Sequence, residues 1–162
     1  MQLDGRLPLR VTHNDTKLNN IMIDDATGKA ICVIDLDTVM PGLTANDFGD
    51  SIRFGASTAL EDERDLSKVS CDLHLFDVYA KGFIEGCGGA LTDLEIEMLP
   101  MGAILMTFEN GIRVLTDHLE GDHYFRIHRE NQNLDRARTQ FKLVWDMKQK
   151  LSEMKSIVEK YK

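Results

Sequence analysis

The segment from His13 to Asp35 carries the residue types that phosphoryl transfer needs. Asp15 lies two residues after His13, Asn20 lies five residues after Asp15, and Asp35 follows a further apolar run. A carboxylate can accept or orient the proton of an attacking hydroxyl, and amide and carboxylate oxygens are ligands that magnesium prefers. The spacing therefore predicts a loop that places the base Asp15 and the metal ligand Asn20 on either side of the transferred phosphoryl group, with Asp35 facing Asn20 across the metal.

The pattern H-x-D-x-x-x-x-N with a later metal-binding Asp is the arrangement that protein kinases use for this chemistry. Lys17 adds a cation two residues after the base, where it can neutralise charge that develops on the phosphoryl group. We expect an architectural role for His13. Asp37 is open to two interpretations, a second carboxylate near the metal or an anchor for the turn into Thr38, and we favour the anchor.

Short runs before Pro41 indicate strands, and the pattern after it is helical. Apolar or β-branched residues at 20–24 and 30–34 are separated by a polar turn, which predicts a β-hairpin. The residues that follow predict helices at 46–54 and 65–86. A hairpin would place Asn20 and Asp35 at the same end, because one precedes its first strand and the other follows its second.

The C-terminal half predicts further helices. Thr92 and Glu95 have the spacing of a capping box, so a helix should start there. Pro100 predicts either a kink or a second helix that opens at the proline. Apolar residues recur at three- and four-residue steps over 134–161, which predicts one continuous helix whose tail past Met154 extends beyond the core. The predicted fold class is α+β and mostly helical, with a small β-hairpin near the N-terminus.

Composition excludes several kinds of function. The 162 residues are 43% hydrophobic, enough for one core, and the formal charge of -8 argues against a nucleic-acid partner. Three widely spaced cysteines indicate neither a disulfide framework nor a zinc site, which favours a reducing compartment. No apolar run approaches the roughly 20 residues of a membrane span, and no signal peptide is recognisable. We therefore expect a cytoplasmic protein without a membrane or nucleic-acid partner.

Asp35 to Val39 also permits a different enzyme. An apolar strand that ends in D-x-D-x-T resembles the nucleophile motif of haloacid-dehalogenase-type phosphatases, in which the first Asp is phosphorylated. That fold alternates strands and helices to build a parallel sheet. Nearly everything after Val39 reads as helix, so this phosphatase is a remote alternative.

The stretch 11–54 resembles aminoglycoside-phosphotransferase-type kinases, and within them it is most similar to N-acetylhexosamine 1-kinases. The similarity continues at 109–113, 115–119, 121–122, 124–125 and 138–143. The resemblance implies a protein-kinase-like C-terminal lobe that uses ATP and Mg²⁺. It further implies phosphorylation of the anomeric hydroxyl of N-acetylglucosamine or N-acetylgalactosamine, which gives the sugar 1-phosphate.

The resemblance also implies roles for single residues. Asp15 would be the catalytic base, assisted by Lys17, and Asn20 and Asp35 would ligate magnesium and so hold the nucleotide cofactor. We expect Asp47 to be structural and to fix the catalytic loop.

The sugar would lie against the helical part, where Arg113, Tyr124 and Phe54 are the candidate contacts. The alternatives are that Arg113 pairs with Glu109 or Asp117 at helical spacing and that Tyr124 and Phe54 belong to the core. We expect Arg53 to be the partner of Asp47.

Kinases of this type carry an N-terminal lobe that clamps ATP, and only about a dozen residues precede His13 here. We therefore expect residues 1–162 to be the C-terminal catalytic and substrate lobe, a fragment that is weakly active or inactive alone because the ATP-clamping lobe is absent. The alternative is a non-catalytic single lobe that binds a sugar or a protein. Apolar surface that the other lobe would cover predicts self-association.

Overall fold

A computed structural model describes residues 5–162, and its N-terminal part up to residue 43 contains four short strands. These are β1 (Arg10–Thr12), β2 (Ile21–Ile23), β3 (Ala30–Val33) and β4 (Met40–Gly42). Strand β2 pairs with β3 and strand β1 pairs with β4, both antiparallel. The predicted hairpin is confirmed as β2–β3. The β1–β4 pair was not predicted, and it closes the segment that contains the catalytic loop and the hairpin.

The remainder is helical. Its elements are α1 (Thr44–Gly55), α2 (Leu73–Gly86), α3 (Asp93–Glu120), α4 (Gln132–Gln149) and α5 (Leu151–Glu159). The mostly helical α+β fold is thus confirmed. Within residues 5–162 both sheets are two-stranded and antiparallel, so the described part of the chain lacks the parallel sheet that the phosphatase alternative requires.

One apolar core lies among the helices. The long helix α3 packs against α1, α4 and α5, and α2 packs against α1 and α5. Phe48 of α1 is fully buried and meets the rings of Phe76, Tyr79 and Phe83 of α2 edge-on. Edge-to-face pairs of this kind stabilise a core beyond the area they bury. The helices therefore form a body with its own core.

Side-chain caps determine where α2 and α3 begin. Glu95 donates its backbone N–H to the Thr92 hydroxyl and accepts the Thr92 backbone N–H on its carboxylate, which confirms the capping box. The helix predicted from Asp65 is wrong at its start, because α2 begins at Leu73. Asp72 caps that helix by accepting two backbone N–H groups of its first turn, whereas Asp65 caps a separate short turn at 66–68.

Pro100 lies inside α3, so the predicted alternative of two helices is wrong. A proline in a helix interior removes one backbone hydrogen bond and usually breaks the helix. Here the residue is buried where α3 crosses its neighbours. Tertiary packing therefore offsets the local penalty.

The single helix predicted for 134–161 is also wrong, because α4 and α5 are separated at Lys150. The Lys150 ammonium donates to the Ser70 hydroxyl and the Cys71 carbonyl, and it pairs with Asp146 one turn earlier. The chain changes direction there and α5 turns back onto the body. Met154 is consequently buried, and the helix tail does not extend beyond the core.

Helices α1 and α3 touch backbone to backbone at two glycines. A Cβ atom on Gly102 would lie 2.1 Å from the Ala45 carbonyl oxygen, and one on Gly49 would lie 2.3 Å from the Gly102 carbonyl oxygen. No side chain fits at either position, because even a methyl group would overlap backbone atoms. Glycine therefore sets the separation of the two helices.

No helix within residues 5–162 combines the length and the apolar character that crossing a membrane requires.

Candidate active site

The loop between β1 and β2 brings three of the predicted residues together. The Asp15 Oδ2 oxygen accepts hydrogen bonds from the Lys17 ammonium at 2.8 Å and from the Asn20 amide at 2.8 Å. The same Asn20 amide donates to the Asp15 carbonyl at 2.8 Å, and Asn20 is buried. The predicted base is thus held between a cation and an amide.

These contacts favour the ionised form of Asp15. Partial burial opposes the charge, but the hydrogen bonds from Lys17 and Asn20 outweigh it and lower the pKa of the carboxyl. Asp15 is therefore a carboxylate at neutral pH, able to accept a hydrogen bond from a substrate hydroxyl. Its low basicity favours orienting that hydroxyl over abstracting the proton early.

Asp47 of α1 fixes the catalytic loop. Its two carboxylate oxygens accept the backbone N–H groups of His13 at 2.8 Å and Asn14 at 2.7 Å. Asn14 has a left-handed backbone with φ of 64°, which asparagine tolerates better than most residues. The structure agrees with the predicted structural role of Asp47, but its expected partner Arg53 binds Asp50 and Glu61 instead.

His13 and Thr38 tie the loop to the end of the hairpin. The His13 ring lies 2.9 Å from the Ile34 carbonyl oxygen, and the Thr38 hydroxyl donates to the His13 carbonyl at 2.6 Å. The anchor is therefore Thr38. Asp37 is exposed, and its side chain makes no hydrogen bond within the described part of the chain, so the anchor role favoured for it is not seen.

Asp35 follows the hairpin directly beside Asn20. The Ile34 backbone N–H donates to the Asn20 carbonyl at 2.9 Å, and the next residue, Asp35, has a left-handed backbone with φ of 64°. Because the Asn20 NH₂ group is engaged by Asp15, its amide oxygen remains able to accept or ligate. The described residues contain no cluster of three His, Cys, Asp or Glu side chains that could hold a metal. One carboxylate and one amide oxygen suit Mg²⁺, which takes its other ligands from water and phosphate.

A polar cavity of about 420 Å³ opens beside Asp15. The loop contributes Asp15 and Lys17, and α1 contributes Asp50 and Arg53. Further along the chain the lining consists of Glu61, of Met106, Glu109, Asn110 and Arg113 on α3, and of Tyr124 and Phe125 in the loop after α3. The cavity therefore joins the predicted base to two of the three predicted sugar contacts.

Arg113 pairs with Glu109 as one interpretation predicted, and its role as a sugar contact stays a prediction. It lies 3.7 Å from Glu109 one turn earlier, and it also lines the cavity. Its guanidinium lies over the Phe125 ring at 5.7 Å from the centroid, a cation–π geometry that holds it toward the loop. Asp117, the other suggested partner of Arg113, instead binds the loop that follows α3.

Asp117 holds the loop that carries Tyr124 and Phe125. Its carboxylate accepts the backbone N–H groups of Tyr124 at 2.7 Å and Phe125 at 2.9 Å, and it accepts the Asn133 amide at 2.9 Å. Burial opposes the charge, but these backbone donors outweigh it and lower the pKa of Asp117. Tyr124 is 76% exposed, so the alternative that it belongs to the core is wrong.

Phe54 lies apart from the other candidates. It is 39% exposed, which contradicts the core interpretation, but it lines a second cavity of about 370 Å³. Arg53 and Glu61 line both cavities and so form the wall between them. The structure therefore does not bring Phe54 to the cavity that contains Asp15.

Sequence reasoning missed Glu61, Asn110 and Phe125 as lining residues. Asn110 and Phe125 lie in segments that contributed to the family resemblance, so their positions were marked without a role. Glu61 lies in a polar stretch that reads as an ordinary loop. No local pattern could have indicated it, because it meets the cavity only through the fold.

Comparison with known families gives one match. Residues 2–69, less than half of the chain, match the model of the phosphotransferase enzyme family. The matched part contains the catalytic loop, the hairpin, Asp35 and α1, and it ends before α2. The match supports an aminoglycoside-phosphotransferase-like family and suggests phosphotransferase activity. It does not extend to Arg113 or Tyr124.

Proposed function

We propose that this chain is the catalytic lobe of an ATP- and Mg²⁺-dependent kinase that phosphorylates a sugar hydroxyl, with the anomeric hydroxyl of an N-acetylhexosamine as the preferred acceptor. One observation carries the proposal. The Asp15 carboxylate, held by Lys17 and Asn20, lies at a polar cavity large enough for a monosaccharide. A base that lines an acceptor cavity is what transfer to a hydroxyl requires.

Each residue of the loop has a distinct role in this proposal. Asp15 accepts the hydrogen bond of the attacking hydroxyl and orients its lone pair toward the donor phosphate. Lys17 donates a hydrogen bond to Asp15, which lowers the pKa of that carboxyl, and it can neutralise charge that develops on the phosphoryl group. Asn20 holds the Asp15 side chain through its NH₂ group. Asn20 and Asp35 would hold the magnesium ion, which when bound neutralises charge on the phosphates of the nucleotide.

The rest of the cavity favours a polyhydroxylated acceptor. Glu61 and Glu109 offer hydrogen-bond acceptors, Arg113 offers donors, and Asn110 offers both. Tyr124 adds an exposed ring at the rim, a surface that suits the apolar face of a sugar. The family resemblance, with these groups, supports N-acetylglucosamine or N-acetylgalactosamine over a simple alcohol.

The proposal assigns the nucleotide clamp to a second lobe. This chain would supply the base, the metal ligands and the acceptor cavity, and an N-terminal lobe would cover the phosphates. A non-catalytic lobe that binds a sugar or a protein is the competing hypothesis. The two hypotheses differ in whether Asp15 is required for a chemical product.

To test the proposal, the chain is expressed alone and also as a longer protein that includes the sequence encoded directly upstream of it. The longer protein is called the joined protein. Each protein is incubated with ATP, Mg²⁺ and either N-acetylglucosamine or N-acetylgalactosamine, and sugar 1-phosphate is detected by ³¹P NMR. We expect the joined protein to form product. We expect Asp15→Asn to lower kcat by about 100- to 10,000-fold, the usual contribution of a general base, while the melting temperature changes little.

Two results would contradict the proposal. If the joined protein phosphorylates neither sugar, the sugar-kinase assignment is wrong. If calorimetry then shows saturable sugar binding without turnover, the non-catalytic module is supported. Asp25→Asn is the matched control, because Asp25 is exposed in the turn of the hairpin and lies outside the cavity.

A further inference from the structure

The wall between the two cavities is built around a buried guanidinium. Arg53 is only 9% exposed, and its Nε and Nη2 atoms donate to Asp50 Oδ1 at 3.1 and 2.8 Å. Its Nη1 atom donates to Glu61 Oε1 at 2.7 Å. Burial opposes the charge of Arg53, but the two carboxylates outweigh it and raise the pKa of the guanidinium. Arg53 is therefore a fixed cation that holds Glu61 in place.

Unsatisfied polar atoms concentrate at this wall. Within residues 5–162, three buried side-chain nitrogen or oxygen atoms have no hydrogen-bond partner, namely Asp50 Oδ2, Arg136 Nε and Gln140 Oε1. Asp50 lines the first cavity and Gln140 lines the second. Arg136 Nε lies 3.9 Å from Glu61 Oε2, which is too long for a hydrogen bond. Buried polar groups are nearly always paired, so the side chains around this wall are short of hydrogen-bond partners within the described residues.

One of the two carboxylate oxygens of Glu61 accepts no hydrogen bond within the described residues. Its Oε1 atom accepts from Arg53 at 2.7 Å and from the Asn110 amide at 3.4 Å. Within the described residues its Oε2 atom accepts no hydrogen bond, and the side chain is 37% exposed. The Glu61 side chain is thus held by Arg53 through one oxygen, and its other oxygen lies at the boundary of both cavities.

We propose that Glu61 is a specificity-determining residue that accepts a hydrogen bond from a non-reacting hydroxyl of the acceptor. The inference rests on the proposed function, because it names the group that orients the acceptor while Asp15 contacts the reacting hydroxyl. A fixed carboxylate selects a donor and rejects an analogue that lacks it, since its Oε2 atom would then be left without a hydrogen bond. A sugar whose non-reacting hydroxyl donates to Glu61 while its reacting hydroxyl contacts Asp15 is held in one orientation.

Glu61→Gln tests the proposal in the joined protein described above. Glutamine keeps the size of the side chain and an oxygen for Arg53, but it replaces the accepting Oε2 atom with a donating NH₂ group. We expect KM for N-acetylglucosamine or N-acetylgalactosamine to rise about 10- to 100-fold, the range for a hydrogen bond to a charged group. KM for ATP and kcat should change less than about threefold, because Glu61 contacts neither the loop nor the metal ligands.

Glu63→Gln is the matched control. Glu63 lies two residues away in the same loop, pairs with Lys68, and lines neither cavity. We expect it to leave the acceptor KM unchanged. The melting temperature of both variants shows whether loss of charge beside Arg53 has affected the fold.

Deoxy analogues identify the hydroxyl. Monodeoxy sugars that keep the anomeric hydroxyl should include one that the wild type uses at least tenfold less well, and Glu61→Gln should lose that discrimination. An unchanged acceptor KM, or discrimination that survives in the variant, overturns the proposal.

A binding measurement separates this proposal from the proposed function. If the wild type forms no product but binds N-acetylglucosamine in calorimetry, and Glu61→Gln weakens that binding tenfold, the kinase assignment fails and the role of Glu61 stands. If the wild type neither binds nor phosphorylates the sugars, both are overturned.

Discussion

The N-terminal segment, residues 5–43, and the helical body, residues 44–162, are built in opposite ways. The body buries its large apolar side chains around Phe48, Leu99 and Met147. The segment carries the catalytic loop, yet Val11, Ile31 and many of its other large apolar side chains are exposed. Because apolar burial is the main favourable contribution to folding, the body stabilises itself and the segment does not. The predicted catalytic groups are therefore held by other means.

Polar contacts attach the segment to the body. Asp47 accepts two backbone N–H groups of the loop, and the Ser51 hydroxyl donates to the Thr16 carbonyl. Arg10 of β1 forms a paired contact with Glu95 of α3 at 3.0 and 2.8 Å. Contacts of this kind fix geometry closely but depend on charge. The comparison therefore predicts that stability and catalysis respond to different substitutions.

The largest effect on stability is expected at the centre of the body. Phe48→Ala removes a fully buried ring that touches three aromatic side chains, so the free energy of unfolding should fall by about 3–5 kcal/mol. Ile31→Ala in the exposed hairpin is the matched control and should change it by less than about 0.5 kcal/mol. Urea denaturation followed by circular dichroism measures both. Equal losses would show that the segment shares the core of the body.

An intermediate effect is expected where the two regions meet. The hydrogen bonds from Arg10, the Thr92 backbone and Thr44 outweigh burial and lower the pKa of Glu95 to about 2. A carboxyl whose folded-state pKa lies below its unfolded value stabilises the fold above the unfolded pKa. That contribution is lost as the pH falls toward the folded pKa. Glu95→Gln should therefore cost about 1–3 kcal/mol at pH 7.

The difference between wild type and Glu95→Gln should shrink between pH 4.5 and pH 2, the window from the ordinary pKa to the lowered one. Urea titrations at a series of pH values measure it. Glu97→Gln is the control, since Glu97 is exposed on the same helix. A loss that does not vary across this window would mean that packing at Glu95, and not its charge, connects the regions.

The smallest effect on stability is expected at the exposed hairpin. Its apolar surface, together with Leu18 and Leu36, supports our proposal that the isolated chain self-associates. Ile31→Lys should leave the melting temperature nearly unchanged while lowering the mass measured by light scattering at high concentration. A wild-type mass equal to one chain at every concentration would contradict the proposal.

The sequence predicted local features better than long-range ones. The capping box at Thr92 and the hairpin depend on neighbouring residues, and both are confirmed. The break at Lys150 depends on its contacts with the distant residues Ser70 and Cys71, which no local pattern records. The late start of α2 follows from the local cap at Asp72, which the sequence analysis missed.

The same distinction holds for the site. Asp15, Lys17 and Asn20 occupy one loop, so spacing alone was sufficient to predict that they lie together. Glu61 reaches the cavity from a separate loop, and Phe54 is turned to the other side of the Arg53 wall. Which residues of a helix or loop meet a cavity depends on how the elements pack.

The glycine contact between α1 and α3 has a consequence for the width of the cavity beside Asp15. Asp50 and Arg53 follow Gly49 on α1, while Asn110 and Arg113 lie further along α3 from Gly102. Residues of both helices line the cavity, so the distance between the helices at the two glycines affects the width of the cavity. An alanine at residue 49 or 102 would push the helices apart and widen the cavity without altering any residue that lines it. The size of a molecule that fits the cavity is thus governed partly by two positions that do not line it.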